Sequence, residues 1–203
     1  PSATVAINER SNKLLASGRE IFKMGLGQSP FPVPETVVEE LKRCAHEKDY
    51  LAVQGHQQLR QAVCEHHRRT LNIDCDPQNV IIGPGSKELM FILQLVYYGD
   101  LLIPTPAWVS YAPQAQIIGR HIDFLPTKAK DGWRLTGDQL ERLCQKDPGR
   151  PRILILNYPS NPTGMTYSAG HLQEIAEVAK KYRIIILSDE IYGKLHHAGT
   201  HAS

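Results

Sequence analysis

Residues 152–190 read RILILNYPSNPTGMTYSAGHLQEIAEVAKKYRIIILSDE, and this stretch decides the fold class. It begins with an apolar run at 152–159 and ends with a second one at 183–190. Neither run alternates apolar with polar residues, which is typical of strands buried on both faces. An amphipathic helix is predicted between them at 168–183, and its apolar stripe comprises Leu172, Ile175, Ala176 and Ala179. A strand, a helix and a strand in this order predict a parallel pair with a helical crossover.

The same alternation extends towards the N-terminus. Further strands are predicted at 79–83, 100–104 and 121–126. Further helices are predicted at 34–47, 56–71, 86–98, 108–119 and 136–146. Residues 25–34 hold too many prolines for a helix or a central strand, so we expect an extended arm there. The pattern predicts an α/β fold, a three-layer arrangement of a mainly parallel sheet flanked by helices, with ligand sites at the carboxyl ends of its strands.

Composition narrows the class of protein. The 203 residues are 41% hydrophobic and 22% charged, as in ordinary globular proteins, and the net charge of +2 argues against a partner that is nucleic acid or an anionic membrane. The four cysteines form no C-x-x-C pair, which indicates reduced thiols and no zinc site. With no membrane-spanning run and no signal peptide, we expect a cytoplasmic protein. His196, His197 and His201 have no cysteine or carboxylate at ligand spacing, so no metal site is predicted.

Two of the predicted strands are followed by residues suited to an anionic or flat ligand. GPGSKE at 83–88 opens a helix, and its free backbone N–H groups beside Ser86 and Lys87 could hold a phosphate. A plain glycine turn with a capped helix is the alternative. TPAWVSY at 105–111 places Trp108 where it could stack on a flat ligand, although a half-buried packing role is also open.

Two other strand ends carry an amide, a carboxylate and a phenol. Asn161 lies in the rigid turn SNPTG, which could also be no more than a turn. Asp189 follows an apolar strand, and a buried carboxylate there needs a positive partner. No lysine or arginine lies within two residues of it, so a cationic ligand atom is favoured over the simpler role of a helix N-cap. Tyr192 lies three residues further on.

Together, these strand ends describe one ligand with a phosphate, a flat aromatic ring, a polar ring substituent and a protonated ring nitrogen. Pyridoxal phosphate has all four features. This interpretation rests on the combination, because each signal alone is modest.

The motifs also resemble those of a known family. GQSPF at 27–31, DYLAVQGHQQLRQAV at 49–63, GPGSKE, TPAWVSY, NYPSNPTG and SDEIYGKL are similar, in order and spacing, to the signatures of class I/II aminotransferases, which are fold type I pyridoxal-phosphate enzymes. The resemblance runs from about residue 25 to residue 192. It implies amino-group transfer from an amino acid to a 2-oxo acid. A lyase or decarboxylase of the same fold, or a non-catalytic effector-binding domain, remains an alternative.

The resemblance implies roles around the cofactor ring. Asp189 would pair with the pyridinium nitrogen, so that the ring can act as an electron sink. Tyr192 and Asn161 would hydrogen-bond the phenolic oxygen of the ring, and Trp108 would stack on its face. Trp108 and Asn161 would also contact the substrate.

The resemblance implies further roles away from the ring. Gly85, Ser86 and Lys87 would hold the phosphate. Gly27 would approach the substrate carboxylate through its backbone. Tyr50 would reach the phosphate of a neighbouring subunit, which implies a homodimer.

The resemblance also sets expectations for the backbone and for domains. The bonds Thr105–Pro106 and Asn161–Pro162 are expected to be cis. Residues 1–48 would be an arm and helix of a small domain, and residues 49–203 an incomplete cofactor-binding large domain.

The resemblance implies a Schiff-base lysine at a position beyond Ser203. Lys194 follows Tyr192 too closely to replace it, and Lys87 belongs to the phosphate loop. We therefore expect an N-terminal half that has no catalytic residue of its own and is inactive alone.

Overall fold

The computed structural model describes residues 3–25, 27, 29–195, 199 and 201–203. The chain divides into two compact units, Pro1–Tyr50 and Leu51–Ser203. The first unit contains helices α1 (Ala3–Ala16) and α2 (Glu35–Cys44). Helix α1 was not predicted from the sequence. In α2, Pro34 precedes the first turn and Glu35 lies within it, which favours a helix start.

The second unit alternates strands and helices. Its α-helices are α3 (Gln57–Leu71), α4 (Ser86–Val96), α5 (Tyr111–Ile117), α6 (Gly137–Cys144) and α7 (Ala169–Tyr182). Its strands are β1 (Asp100–Thr105), β2 (Ile122–Pro126), β3 (Arg152–Asn157) and β4 (Ile185–Asp189). Short 3-10 helices occupy Pro77–Asn79 and Ala129–Asp131. Each strand leads into a helix or a turn at its carboxyl end, as the sequence predicted.

All four strands form one parallel sheet in the order β2-β1-β3-β4. Leu101 of β1 pairs with Ile122 of β2 on one side and with Ile153 of β3 on the other. Asn157 at the end of β3 is in register with Asp189 at the end of β4. The carboxyl ends of β3 and β4 therefore lie side by side.

Both faces of the two central strands, β1 and β3, are buried. Leu102 and Leu154 point into a core that includes residues of α6 and α7. Their neighbours Leu101, Ile103 and Ile153 point into a second core with residues of α4 and α5. Side chains alternate across a strand, so two buried faces require apolar residues at every position, which explains the unbroken apolar run of β3. The run that forms β4 lies at the edge of the sheet and alternates between half-buried and exposed, with Ile186 36% exposed, so the expected burial on both faces is wrong for this strand. The predicted three-layer α/β fold is confirmed.

One predicted strand is wrong. Residues 79–83 form no strand among the described residues. Ile82 donates its N–H to the carbonyl oxygen of Gln54 at 2.9 Å, a loop contact in place of a ladder. The apolar run has the composition of a strand, but a strand also requires a neighbouring strand to pair with along its length.

The predicted cis bonds are confirmed at Thr105–Pro106 and Asn161–Pro162. Tyr158–Pro159 is also cis and was not predicted. Among the described residues, no helix has the length and apolar character needed to cross a membrane.

Candidate cofactor site

A cavity of about 200 Å³ opens at the carboxyl ends of β3 and β4. Five of the residues that the sequence singled out line it: Ser86, Trp108, Asn161, Asp189 and Tyr192. Tyr111, Asn157 and Ile191 complete the lining. The residues come from the start of α4, the turn before α5 and the ends of two adjacent strands. The parallel topology therefore brings together side chains that are far apart in the sequence.

Asp189 presents a half-buried carboxylate to this cavity. Its Oδ2 accepts a hydrogen bond from the Tyr111 hydroxyl at 2.6 Å, and its Oδ1 accepts from the Ile191 N–H at 3.3 Å. The second bond shows that the carboxylate also caps the turn after β4. The capping role considered as the alternative for Asp189 is therefore present in part. Within the described part of the chain, no lysine or arginine forms an ion pair with Asp189.

Tyr111 is the main residue that sequence reasoning missed. Its side chain is only 2% exposed, and burial, followed by the hydrogen bond to Asp189, raises the pKa of its phenol. A phenol that stays protonated is a permanent donor, so it holds the carboxylate in one orientation. The available signal was its position three residues after Trp108, at the first turn of the helix predicted for 108–119.

Trp108 forms one wall of the cavity. Its ring stands edge-on to that of Tyr111, with centroids 5.3 Å apart and an interplanar angle of 80°. The Nζ atom of Lys87 lies 5.3 Å from the Trp108 ring centroid, within reach of a cation–π interaction. The packing role considered for this tryptophan is therefore present, and the same ring also faces the cavity.

The N-terminus of α4 forms another side of the site. Gly85 is its N-cap residue, with φ of +100°, a conformation that a residue with a Cβ rarely adopts. No side chain caps this helix start, so the first N–H groups and the positive end of the helix dipole remain available. Gln114 of α5 fixes the turn by donating from Nε2 to the carbonyl oxygen of Lys87 at 2.7 Å.

Asn157 is a second residue missed from the sequence. Its Nδ2 donates to the main-chain oxygen of Asp189 at 2.9 Å, and its Oδ1 accepts from the N–H of Asn161 at 2.7 Å. One side chain thus connects β4 to the SNPTG turn. Asn161 and Tyr192 are half-buried and complete this side of the cavity.

Gly27 and Tyr50 belong to the other unit of the chain. Tyr50 is fully exposed, and a side chain added at Gly27 would meet nothing within 4 Å. Their predicted contacts with substrate and with a neighbouring subunit stay predictions.

His201 and Lys194 are not part of the cavity lining. His201 has a carboxylate partner after all, because its Nε2 lies 2.6 Å from Oε2 of Glu190. His196 and His197 fall outside the described residues. Lys194 lines a separate groove with Glu190 and His201.

A cluster of possible metal ligands, Asp100, His121 and Asp123, lies at the opposite, amino end of the sheet. Both carboxylate oxygens of Asp100 accept hydrogen bonds from Arg150, at 2.7 and 3.0 Å. An arginine therefore already neutralises the most buried ligand of this cluster.

This sheet and cavity define a class of protein: a three-layer α/β protein with its ligand site at the carboxyl edge of a parallel sheet. Within that class, the chain belongs to the aminotransferase class I and II family, whose model matches residues 19–202. The resemblance inferred from the motifs is confirmed.

Several relatives are similar over nearly the whole chain. An aspartate aminotransferase of Geobacillus stearothermophilus is 33% identical over 98% of this chain and 51% of its own length. An asparagine–oxo-acid transaminase of Streptococcus mutans is 31% identical over the same shares of the two chains. The structure of an aspartate aminotransferase from Thermus thermophilus with maleate superposes with a TM-score of 0.91 at 30% identity, covering 100% of this chain and 54% of that one. The chain thus spans about half the length of the relatives that it matches.

Proposed function

We propose that this chain forms the cofactor cavity of a pyridoxal-phosphate-dependent aminotransferase, which transfers an amino group from an amino acid to a 2-oxo acid. One observation carries the proposal: Asp189, the Trp108 ring and the start of α4 at Ser86 border a single cavity. Membership of the aminotransferase family supports the reaction class.

The chemistry of the lining fits pyridoxal phosphate. An uncapped helix start behind Gly85 suits a phosphate, because backbone N–H groups and the helix dipole both favour an anion there. Lys87, in the first turn, adds a positive charge. Trp108 offers an aromatic surface, and the carboxylate of Asp189 offers the negative charge that a protonated ring nitrogen requires.

When bound, pyridoxal phosphate would supply an electron sink for the α-carbon of the substrate. Asp189 would hold the proton on the ring nitrogen, and Tyr111 would hold Asp189 by donating to Oδ2. Asn157 would keep the ends of β3 and β4 in register by its bond to the Asp189 main chain. Tyr192 and Asn161 would hydrogen-bond the ring oxygen, and the backbone at Gly85, Ser86 and Lys87 would hold the phosphate.

The proposal assigns covalent catalysis to no lysine among the described residues. Lys87 and Lys194 are both exposed, and neither lines the cavity. Proton transfer at the substrate carbon therefore needs a group that the described cavity does not contain.

We also propose the wider context of the site. Residues 1–48 would belong to a small domain and residues 49–203 to an incomplete cofactor-binding large domain. Gly27 would approach the substrate carboxylate, and Tyr50 would reach the phosphate of a second subunit in a homodimer. Full exposure of Tyr50 supports a role outside its own unit. Four free cysteines support a reducing, cytoplasmic location.

The test is a titration of the full-length native protein with pyridoxal phosphate, followed by absorbance, for the wild type and for Asp189→Asn. Losing one partner of a buried ion pair costs about 3–5 kcal/mol, so we expect the Kd of the variant to rise by about a hundredfold or more. Asp138→Asn, on α6 and outside the cavity, is the matched control and should bind as the wild type does. Equal affinity in all three proteins would refute the proposed site.

The reaction class is tested separately with aspartate and a 2-oxo acid, because relatives are named aspartate aminotransferases. Formation of a new amino acid without release of carbon dioxide supports transamination. Carbon dioxide release would indicate a decarboxylase, and tight cofactor binding without turnover of any amino acid would indicate an effector-binding domain.

A further inference from the structure

The chain turns back along α3 after that helix ends. Asn72 caps the helix in the left-handed conformation, with φ of 56°, and the following residues run antiparallel to α3 towards Pro77–Asn79. At the far end of this stretch, Arg60 donates from Nη1 to the carbonyl oxygen of Pro77 at 3.1 Å. At the near end, Nε of Arg68 donates to Oδ1 of Asp74 at 2.6 Å. These two contacts fix the returning segment against the helix.

Cys64 and Cys75 lie between the two contacts. Arg60, Cys64 and Arg68 are spaced four residues apart, so they share one face of α3. In the returning segment, Cys75 and Asp76 lie between Asp74 and Pro77, and the Asp76 side chain turns to the next helix, where it accepts a hydrogen bond from the Gln78 N–H. The three pairs therefore form a ladder in which Cys75 is the residue opposite Cys64.

The two thiols are neighbours in the interval between these contacts. Cys64 is 6% exposed, whereas Cys75 is partly exposed, and both are free. The hydrogen-bonding contact with the Cys75 thiol and then burial raise the pKa of Cys64 to about 11. Among the described residues, no cysteine is seen beside either of the other two cysteines, Cys44 and Cys144.

We propose that Cys64 and Cys75 form a reversible disulfide with each other. The oxidant is a low-molecular-weight disulfide such as oxidised glutathione. A disulfide needs two sulfur atoms that face each other across a short Cα separation. The ladder brings Cys75 opposite Cys64, between two contacts that tie the returning segment to α3. The inference is independent of the proposed aminotransferase function.

The reaction proceeds by two exchanges. The thiolate of Cys75 attacks one sulfur of the small disulfide, forming a mixed disulfide and releasing one small thiol. The thiolate of Cys64 then attacks the Cys75 sulfur and releases the second small thiol. The two cysteines are oxidised, the small disulfide is reduced, and the two thiol protons of the protein pass through solvent to the two released thiols.

Exposure sets the order of attack. Cys75 is accessible to the oxidant, whereas Cys64 is buried and reaches the reaction only through its neighbour. A reducing cytoplasm would keep the pair as thiols, and oxidising conditions would close it.

The test uses the full-length native protein, incubated folded with reduced or oxidised glutathione and then quenched with acid and an alkylating reagent. Trypsin cleaves after Arg60, Arg68, Arg69 and Lys87, so Cys64 and Cys75 fall in separate peptides, 61–68 and 70–87. We expect mass spectrometry to find these peptides joined in most of the oxidised protein. The joined species should disappear on return to reduced glutathione.

Variants separate the pair from general thiol oxidation. Cys64→Ser and Cys75→Ser should each abolish the joined species, whereas Cys44→Ser should leave it unchanged. Oxidation should raise the thermal midpoint of the wild type by several degrees and leave that of Cys75→Ser unchanged, because the cross-link restricts the unfolded chain. Recovery of the two peptides only as free or glutathione-capped species, or a link that forms only after denaturation, would overturn the proposal.

Discussion

At the scale of single residues, the hydrogen bond from Tyr111 to Asp189 organises the candidate site. The donor and acceptor are 78 positions apart in the sequence and 2.6 Å apart in space. The phenol is buried, and removing its proton would place a second negative charge beside the carboxylate. The bond therefore depends on a protonated tyrosine, so the stability of the protein should fall at alkaline pH.

The first prediction concerns that pH dependence. The pKa of Tyr111 is raised by burial above the value of about 10 expected in the unfolded chain. Above about pH 10 the unfolded state has lost this proton while the folded state keeps it, so the free energy of unfolding falls by about 1.4 kcal/mol per pH unit through this group. Below that pH, the stabilisation contributed by the protonated Tyr111 phenol is fully present. Denaturant titrations of the wild type and Tyr111→Phe should differ in this alkaline slope.

Tyr98→Phe is the control for the alkaline slope, because Tyr98 is 74% exposed and no hydrogen bond of its hydroxyl is seen among the described residues. It should leave the slope unchanged. At neutral pH, Tyr111→Phe should cost about 1.5–3 kcal/mol, the usual value for a hydrogen bond to a charged group. Identical alkaline slopes for wild type and Tyr111→Phe would show that the phenol titrates normally.

A second prediction at this scale concerns Gly85. Its φ of +100° makes any substitution strained, even though a Cβ would meet nothing within 4 Å. We expect Gly85→Ala to lower the free energy of unfolding by about 1–3 kcal/mol. Gly149→Ala is the matched control, since Gly149 also has open space but no positive φ. Equal stability of the two variants in denaturant titrations would contradict the assigned backbone conformation.

At the scale of elements, helix ends show which local signals fold the chain. Helix α7 begins with a capping box: the Ser168 hydroxyl accepts from the His171 N–H, and the His171 ring accepts from the Ser168 N–H. It ends at Arg183 in the left-handed conformation, with φ of 53°. Both ends were predicted within one residue, because the amphipathic stripe runs over the whole helix.

The capping box gives the third prediction. Ser168→Ala removes an acceptor for a free N–H group at the helix start and should destabilise the protein by about 1 kcal/mol, within the usual range for caps. Ser110→Ala is its control, because Ser110 is the N-cap residue of α5 but makes no side-chain cap. Thermal unfolding followed by circular dichroism should show a lower midpoint for the first variant alone. A matching loss in Ser110→Ala would mean that the cap contributes nothing specific.

Elements also show how far sequence reasoning reaches. The central strands β1 and β3 were predicted because burial on both faces leaves a continuous apolar run, and the edge strands β2 and β4 were predicted from apolar runs although their faces are partly exposed. The strand at 79–83 was wrong because pairing depends on a neighbour that no local pattern reveals. Helix α1 was missed because its residues show little amphipathic order. Among the residues that line the candidate cavity, Ser86, Trp108, Asn161, Asp189 and Tyr192 were singled out from their positions at strand ends. Tyr111 and Asn157 were missed because their contacts join segments that are distant in the sequence.

At the scale of the whole molecule, exposed apolar side chains are concentrated in residues 22–53. Phe22, Met24, Phe31, Tyr50 and Val53 are each more than 80% exposed. Monomeric proteins seldom leave so many large apolar residues to water within a short segment. In the described part of the second unit, β4 is also an edge strand that pairs with β3 alone. Both features favour association, and the proposed homodimer names a second copy of the chain as the partner.

The last prediction tests this association. If a second copy covers residues 22–53, burial of each phenylalanine contributes about 1.5 kcal/mol or more. A symmetric dimer loses four phenylalanines when both are substituted, so Phe22→Ser combined with Phe31→Ser should weaken association by about ten-thousandfold. Light scattering coupled to gel filtration, at a series of concentrations of the full-length native protein, measures this shift. Ile117→Ser is the matched control, since Ile117 is 75% exposed but lies in α5, outside the segment. A wild-type protein that stays monomeric at every concentration would contradict the proposed homodimer. Equal weakening by Ile117→Ser would place the interface elsewhere, because association would then depend on exposed apolar area in general and not on this segment.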